Sequence, residues 1–192
     1  MADFNVPLWN EMGVIPPINE SQPTGSARSP YETDIIKFVS MFAQTLPRKH
    51  ILQGFLSFRK ALYQVGITDG FQWIDGSFTE HIELIEGRAP NDLDLVTFFN
   101  FNDGDDDTTI ISRNQYLFNH EHVKSTYHID SYFEPLGTHP SHLVSRAVYW
   151  YSVWSHKRDL SWKGFLQIPL SPSLDDLACT ILKAAIVDGG EQ

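Results

Sequence analysis

Apolar positions change their period several times along the chain, and each change predicts an element. Ser29-Pro30-Tyr31-Glu32 reads as a helix start, because Ile35, Ile36, Phe38, Val39, Phe42 and Ala43 follow it at helical spacing. A second helix is predicted from Arg48 to Val65, with Ile51, Leu52, Phe55, Leu56, Leu62 and Val65 on one side and Gly66 and Asp69-Gly70 ending it. From Phe71 the period shortens. Phe71-Gln72-Trp73-Ile74-Asp75 reads as a strand, and so does the run from Asp92 to Phe99, alternating at first and then continuously apolar. Further on, the pattern predicts a helix over 111–119, a strand over 127–133, a helix over 142–154, a strand over 164–170 and a helix over 174–187. The last helix opens at Pro172-Ser173 and ends at Gly189-Gly190.

Before the first helix, Pro7, Pro16, Pro17, Pro23 and Pro30 fix φ and remove donors, so residues 1–30 should form an extended arm. Trp9, Val14 and Ile15 give that arm apolar side chains with which to lie on the domain. Residues 31–192 then form a single domain of the α+β or α/β layer class.

Composition narrows the class. The chain has 192 residues, 42% of them hydrophobic, which supports a core and argues against wholesale disorder. Its formal net charge of −10 speaks against a binder of duplex DNA, whose affinity would rest on Lys and Arg. Cys179 is the only cysteine, so no intramolecular disulfide forms, which fits a reducing compartment. No basic n-region with an apolar h-region opens the chain, and no stretch approaches the roughly 18 apolar residues of a membrane span. A cytoplasmic location is expected.

Chemistry concentrates in Trp73-Ile74-Asp75-Gly76-Ser77-Phe78 and Pro90-Asn91-Asp92-Leu93-Asp94-Leu95-Val96. Side chains alternate along a strand, so Asp92 and Asp94 share one face. At roughly 4 Å and an effective dielectric of about 20, two carboxylates repel by on the order of 4 kcal/mol. Such a pair must reach solvent, take up a proton or share a cation, and oxygen-only ligands favour Mg²⁺ or Mn²⁺ over Zn²⁺. A strand that ends at Gly76-Ser77 and enters a helix leaves backbone N–H groups and a hydroxyl for phosphate oxygens. Ser77 also suits a plain helix N-cap, and the two uses are compatible.

These residues resemble the signature of the DNA polymerase beta-like nucleotidyltransferase superfamily: a hydrophobic residue, Gly, then Gly or Ser, a spacer, and Asp-hydrophobic-Asp/Glu-hydrophobic. Gly76-Ser77 and Asp92-Leu93-Asp94-Leu95 carry the likeness. The spacer from Phe78 to Asn91 is slightly long for the family, and Asp75 stands where a hydrophobic residue is common. The wider pattern, including Arg88-Ala89-Pro90-Asn91 and the stretch from Trp150 to Leu170, is similar to a bacterial and phage branch of small stand-alone nucleotidyltransferase-like proteins. The resemblance implies the nucleotidyltransferase fold, a small mixed β-sheet flanked by helices. It implies transfer of a nucleoside monophosphate from an NTP to a hydroxyl on a protein, RNA or small molecule. Asp92 and Asp94 would hold Mg²⁺ or Mn²⁺, and Asp130 would complete the metal set and help to deprotonate the acceptor. Similar stand-alone proteins sometimes act in toxin–antitoxin or phage-defence settings.

Other residues carry weaker signals. Lys157, Arg158 and Lys163 form the densest basic cluster, either a solvated loop or a triphosphate-binding group. Arg88 is the lone basic residue in the acidic stretch from Asp75 to Asp107, where it offsets the local field. Asp103, Asp105, Asp106 and Asp107 belong to a hydrophilic loop and read as solvated. His120, His122, His128, His139 and His142 lack the cysteines of a structural zinc set. Trp150, Tyr151 and Trp154 fall at helical spacing and read as core, and Cys179 as packing within an apolar helix. Two further functions suit the same residues: a catalytically inactive nucleotide- or partner-binding, antitoxin-like module, and a metal-dependent phosphohydrolase.

Overall fold

Five strands meet edge to edge: β1 (Tyr31–Glu32), β2 (Asp69–Asp75), β3 (Leu93–Asn100), β4 (Ile129–Pro135) and β5 (Leu166–Pro169). In this computed structural model, which describes residues 6–101 and 107–188, they form one open mixed sheet in the order β1-β5-β2-β3-β4. β2 runs antiparallel to both β3 and β5, while β3–β4 and β1–β5 are parallel pairs. The helices are α1 (Ile35–Phe42), α2 (Leu46–Gln64), α3 (Ile82–Glu86), α4 (Asp107–Arg113), α5 (Gln115–Phe118), α6 (His120–Tyr127), α7 (Pro140–Trp154) and α8 (Pro172–Asp188). A single 3₁₀ turn covers Ser77–Thr79.

The alternation along β3 divides the interior in two. Leu93, Leu95 and Phe99 join a large core with Phe38 and Phe42 of α1, Leu52, Phe55 and Leu62 of α2, and Ala178 and Leu182 of α8. Val96 and Phe98 face the other way and pack with Trp73, Phe165, Trp150 and Trp154. The helix that covers this second face is α7, whose Leu143, Ala147, Trp150, Tyr151 and Trp154 recur every three or four residues.

Some expectations need correction. Tyr31–Glu32 is a strand, because Tyr31 N–H donates to Phe165 C=O and Thr33 N–H to Gln167 C=O. The first helix starts at Ile35 behind Asp34, whose carboxylate accepts from Lys37 N–H at 2.7 Å. Asp69-Gly70 opens β2 instead of ending α2. The expected helix over 111–119 is two short helices, α4 and α5, and Tyr127 ends α6 instead of opening β4. The N-terminal arm lies on the domain, with Val14 and Ile15 buried, but it folds through turns instead of running straight. Asp103, Asp105, Asp106 and Gly189-Gly190 lie outside the described residues. Among the described residues no helix is long and apolar enough to cross a membrane.

Candidate functional site

Because α7 stops at Trp154, it leaves one end of its sheet face uncovered. On that face the aromatic residues of β2 and β3 give way to acids. Asp75 stands opposite Asp94 across β2–β3, and Asp94 stands opposite Asp130 across β3–β4. Register partners project to the same side, so three carboxylates from three strands form a row. Asp92 precedes Asp94 by two residues and joins the same side.

The row forms the floor of a cleft of about 760 Å³. All eight residues singled out from the sequence line it: Gly76, Ser77, Asp92, Asp94, Asp130, Lys157, Arg158 and Lys163. Arg88, paired with Glu86 at 2.7 Å, lines it as well. One wall is the 3₁₀ turn at Ser77. The other is a loop closed by the bridge between His156 and Trp162, which holds Lys157 and Arg158 over the cleft and returns Lys163 to the floor.

Gly76 allows the turn to lie against the acids. Its φ is 84°, and a Cβ there would collide with the Asp94 carboxylate. Gly76 occupies the cap position, so Ser77 is the first residue of the turn and not its N-cap. The first hydrogen bond within the turn is Thr79 N–H to Gly76 C=O, which leaves the Ser77 and Phe78 N–H groups ahead of it. The turn is clamped from behind by Arg48, fully buried on α2. Its guanidinium donates to the Phe78 and Glu80 carbonyls at 2.6 Å each and to both Glu83 carboxylate oxygens at 2.6 and 2.8 Å.

The carboxylates differ in their partners. Asp75 is buried and lies 3.0 Å from Lys163 Nζ, which also donates to Glu80 at 2.9 Å. Burial would lower the Lys163 ammonium, but Asp75 and Glu80 carry it above its ordinary value. Lys163 is thus an internal counter-ion, and Lys157, its neighbour in the basic cluster, reaches the same Glu80 more loosely at 3.7 Å. Asp92 and Asp130 share Lys124 of α6, whose Nζ lies 2.7 Å from Asp92 Oδ2 and 3.2 Å from Asp130 Oδ2. The hydrogen bond it donates to Asp92 raises this ammonium, against the effect of burial. The other Asp130 oxygen is buried and accepts no hydrogen bond, although His120 Nδ1 lies 3.2 Å away.

Among the described residues Asp94 has no such direct partner, and it absorbs the repulsion. Burial pushes its carboxyl up, Asp75, Asp92 and Asp130 add to this, and Lys163 only partly offsets them, so it titrates at about 7. Among the described residues no three His, Cys, Asp or Glu side chains converge as a ready-made metal-binding group. The Lys124 ammonium stands between the Asp92 and Asp130 carboxylates instead.

Several contributors were missed in the sequence. Arg48 and Arg59 fall in the α2 stripe with Leu52, Phe55 and Leu62, a spacing that places both guanidinium groups in the core and demands partners there. Arg59 finds them in Asp175, at 2.7 and 2.9 Å, and in Gln72 Oε1 at 2.6 Å. Lys124 had no comparable signal, since α6 buries only Val123 and its helical period is thin. Its start was legible in Asn119, whose side chain accepts from His122 N–H at 2.8 Å.

The profile of a family of unknown function (DUF6932) matches residues 7–169, and the chain belongs to that family. No curated protein and no solved structure matches it.

Proposed function

We propose that this DUF6932 protein is a metal-dependent nucleotidyltransferase of the DNA polymerase beta-like type, moving a nucleoside monophosphate from an NTP to a hydroxyl acceptor on a protein, RNA or small molecule. The observation that carries this reading is the row of Asp75, Asp94 and Asp130 on adjacent strands, with Asp92 beside it, under the Gly76-Ser77 turn. The mixed sheet with helices on both faces suits the nucleotidyltransferase fold.

The residues fit a hard divalent cation. Asp92, Asp94 and Asp130 offer oxygen donors only, Asp94 is driven up to about 7 by burial and then by its acidic neighbours, and one Asp130 oxygen is buried without a hydrogen bond. These three would hold Mg²⁺ or Mn²⁺, which when bound polarises the α-phosphate and offsets charge on leaving pyrophosphate. The chain's own residues do the rest. The Ser77 N–H and hydroxyl bind phosphate oxygens, and Lys157 and Arg158 face the β- and γ-phosphates from the opposite wall. Lys163 keeps Asp75 and Glu80 compensated, so that the floor holds its shape. Asp130 takes the acceptor's proton as the hydroxyl oxygen bonds to the α-phosphorus and the α–β bridging bond breaks.

One observation favours the catalytically inactive module: Lys124 already neutralises Asp92 and Asp130. Turnover separates the readings. Incubation with α-³²P-labelled NTPs, Mg²⁺ and a panel of protein and RNA acceptors, this chain included, should label an acceptor and release pyrophosphate, and Asp94→Asn should abolish both. Labelled nucleotide that binds without transfer to any acceptor identifies the binding module. Free phosphate or nucleoside monophosphate with no labelled acceptor identifies a phosphohydrolase.

A further inference from the structure

Of the three lysines that line the acidic cleft, Lys163 and Lys124 stand in opposite circumstances. Lys163 is 4% exposed and held between Asp75 and Glu80 at 3.0 and 2.9 Å. Removing it would strand two buried carboxylates, which makes it a permanent part of the floor. The Lys124 side chain is 45% exposed and reaches in from the surface of α6. Its helix is anchored independently, through Val123 in the main core and the Asn119 cap. The side chain can therefore leave without moving its backbone.

We infer that Lys124 is a resident counter-cation: it occupies the place between Asp92 and Asp130 that a divalent cation takes on loading, and its departure sets how tightly that cation binds. The inference rests on the reading of the cleft as a metal-dependent nucleotide site. Its geometry is competitive. Lys124 Nζ contacts Asp92 Oδ2 at 2.7 Å and Asp130 Oδ2 at 3.2 Å, and both are oxygens that the cation would need. A hard divalent cation approaches carboxylate oxygens to roughly 2.0–2.2 Å, which brings it into strong repulsion with an ammonium held on the same atoms. An exposed lysine ion pair is weak and easily vacated, whereas one buried and doubly paired is not. The cleft thus stays compensated without metal and exchanges one cation for another. Lys124 is a positioning residue in this account. It acts through Asp92 and Asp130, the carboxylates it contacts.

The test is Mn²⁺ binding, followed by electron paramagnetic resonance on the full chain without nucleotide, in wild type, Lys124→Met, Lys124→Gln and Asp92→Asn/Asp94→Asn. Both Lys124 variants should bind Mn²⁺ about tenfold more tightly than wild type. Their metal-free urea midpoints should fall and be restored by Mn²⁺, a response that loss of a merely structural salt bridge would not produce. Wild-type binding with unchanged or weaker affinity in both Lys124 variants overturns the inference and leaves the metal site standing. Absence of Mn²⁺ binding from every variant, or binding that persists in Asp92→Asn/Asp94→Asn, overturns the reading of the site and the inference with it.

Discussion

The two ends of one sheet face make the most instructive comparison in this protein. Along β2, β3 and β4 the same alternation directs Trp73, Phe98 and Tyr132 towards α7 and then, a few residues away, directs Asp75, Asp94 and Asp130 beyond its end. At the covered end, Trp150 packs at a tilt against Tyr132 and Trp154, with ring centroids 4.7 and 5.2 Å apart, and its indole N–H donates to Glu134 at 2.7 Å. Trp150 and Trp154 are buried there, and Glu134 is also paired with Arg146. At the uncovered end four carboxylates converge on two lysines, and Asp94 is left at about 7. The backbone geometry is shared, so the difference lies in where α7 stops. Packing residues should therefore stabilise the chain, and Asp94, which neither lysine pairs directly, should destabilise it when ionised.

Opposite signs on substitution would sharpen that contrast. The largest effect is expected at the packed end. Trp150→Ala should lower the unfolding free energy by about 3–5 kcal/mol in urea titrations, while the folded variant keeps its nucleotide affinity. A loss below about 1 kcal/mol would mean that α7 is not what holds this face.

The smaller effect runs the other way and depends on pH. Asp94 titrates at about 7 in the folded chain, against an ordinary 3.8. Between those values the folded state binds a proton that the unfolded state has released, so this group's contribution falls as pH rises through that window. Asp94→Asn should therefore raise metal-free stability at pH 8 by on the order of 2 kcal/mol and change little at pH 4. Urea unfolding in EDTA at both values checks it, and a variant less stable at pH 8 would place the repulsion elsewhere.

Much of this contrast was legible in the residues. The period of two in Asp92-Leu93-Asp94-Leu95 put both acids on one side. The Asp94 carboxylate that lies against Gly76 was not legible, because that contact forms only when β2 and β3 pair. Asp130 was legible only through the family resemblance, which calls for a third acid on a later strand, and it stands in register with Asp94. The counter-ions were not, because pairing depends on elements far apart in the chain. Lys163 meets Glu80 across 83 positions, and Arg48 reaches the turn from α2 across 30. β1 is only two residues long, too short for a period, and its Pro-Tyr-Glu start imitated a helix cap. Lys124 sits on a polar helix with one buried residue, where periodicity has almost nothing to report.

The proposed function makes the acidic end of the sheet a nucleotide site that needs a divalent cation. Its most direct test is calorimetric titration of the four NTPs with Mg²⁺ or Mn²⁺ into the wild type and into Asp92→Ala/Asp94→Ala. The account predicts metal-dependent binding of at least one NTP to the wild type and none to the double variant. Binding that survives in the variant, or an absence of binding in both proteins, would contradict it.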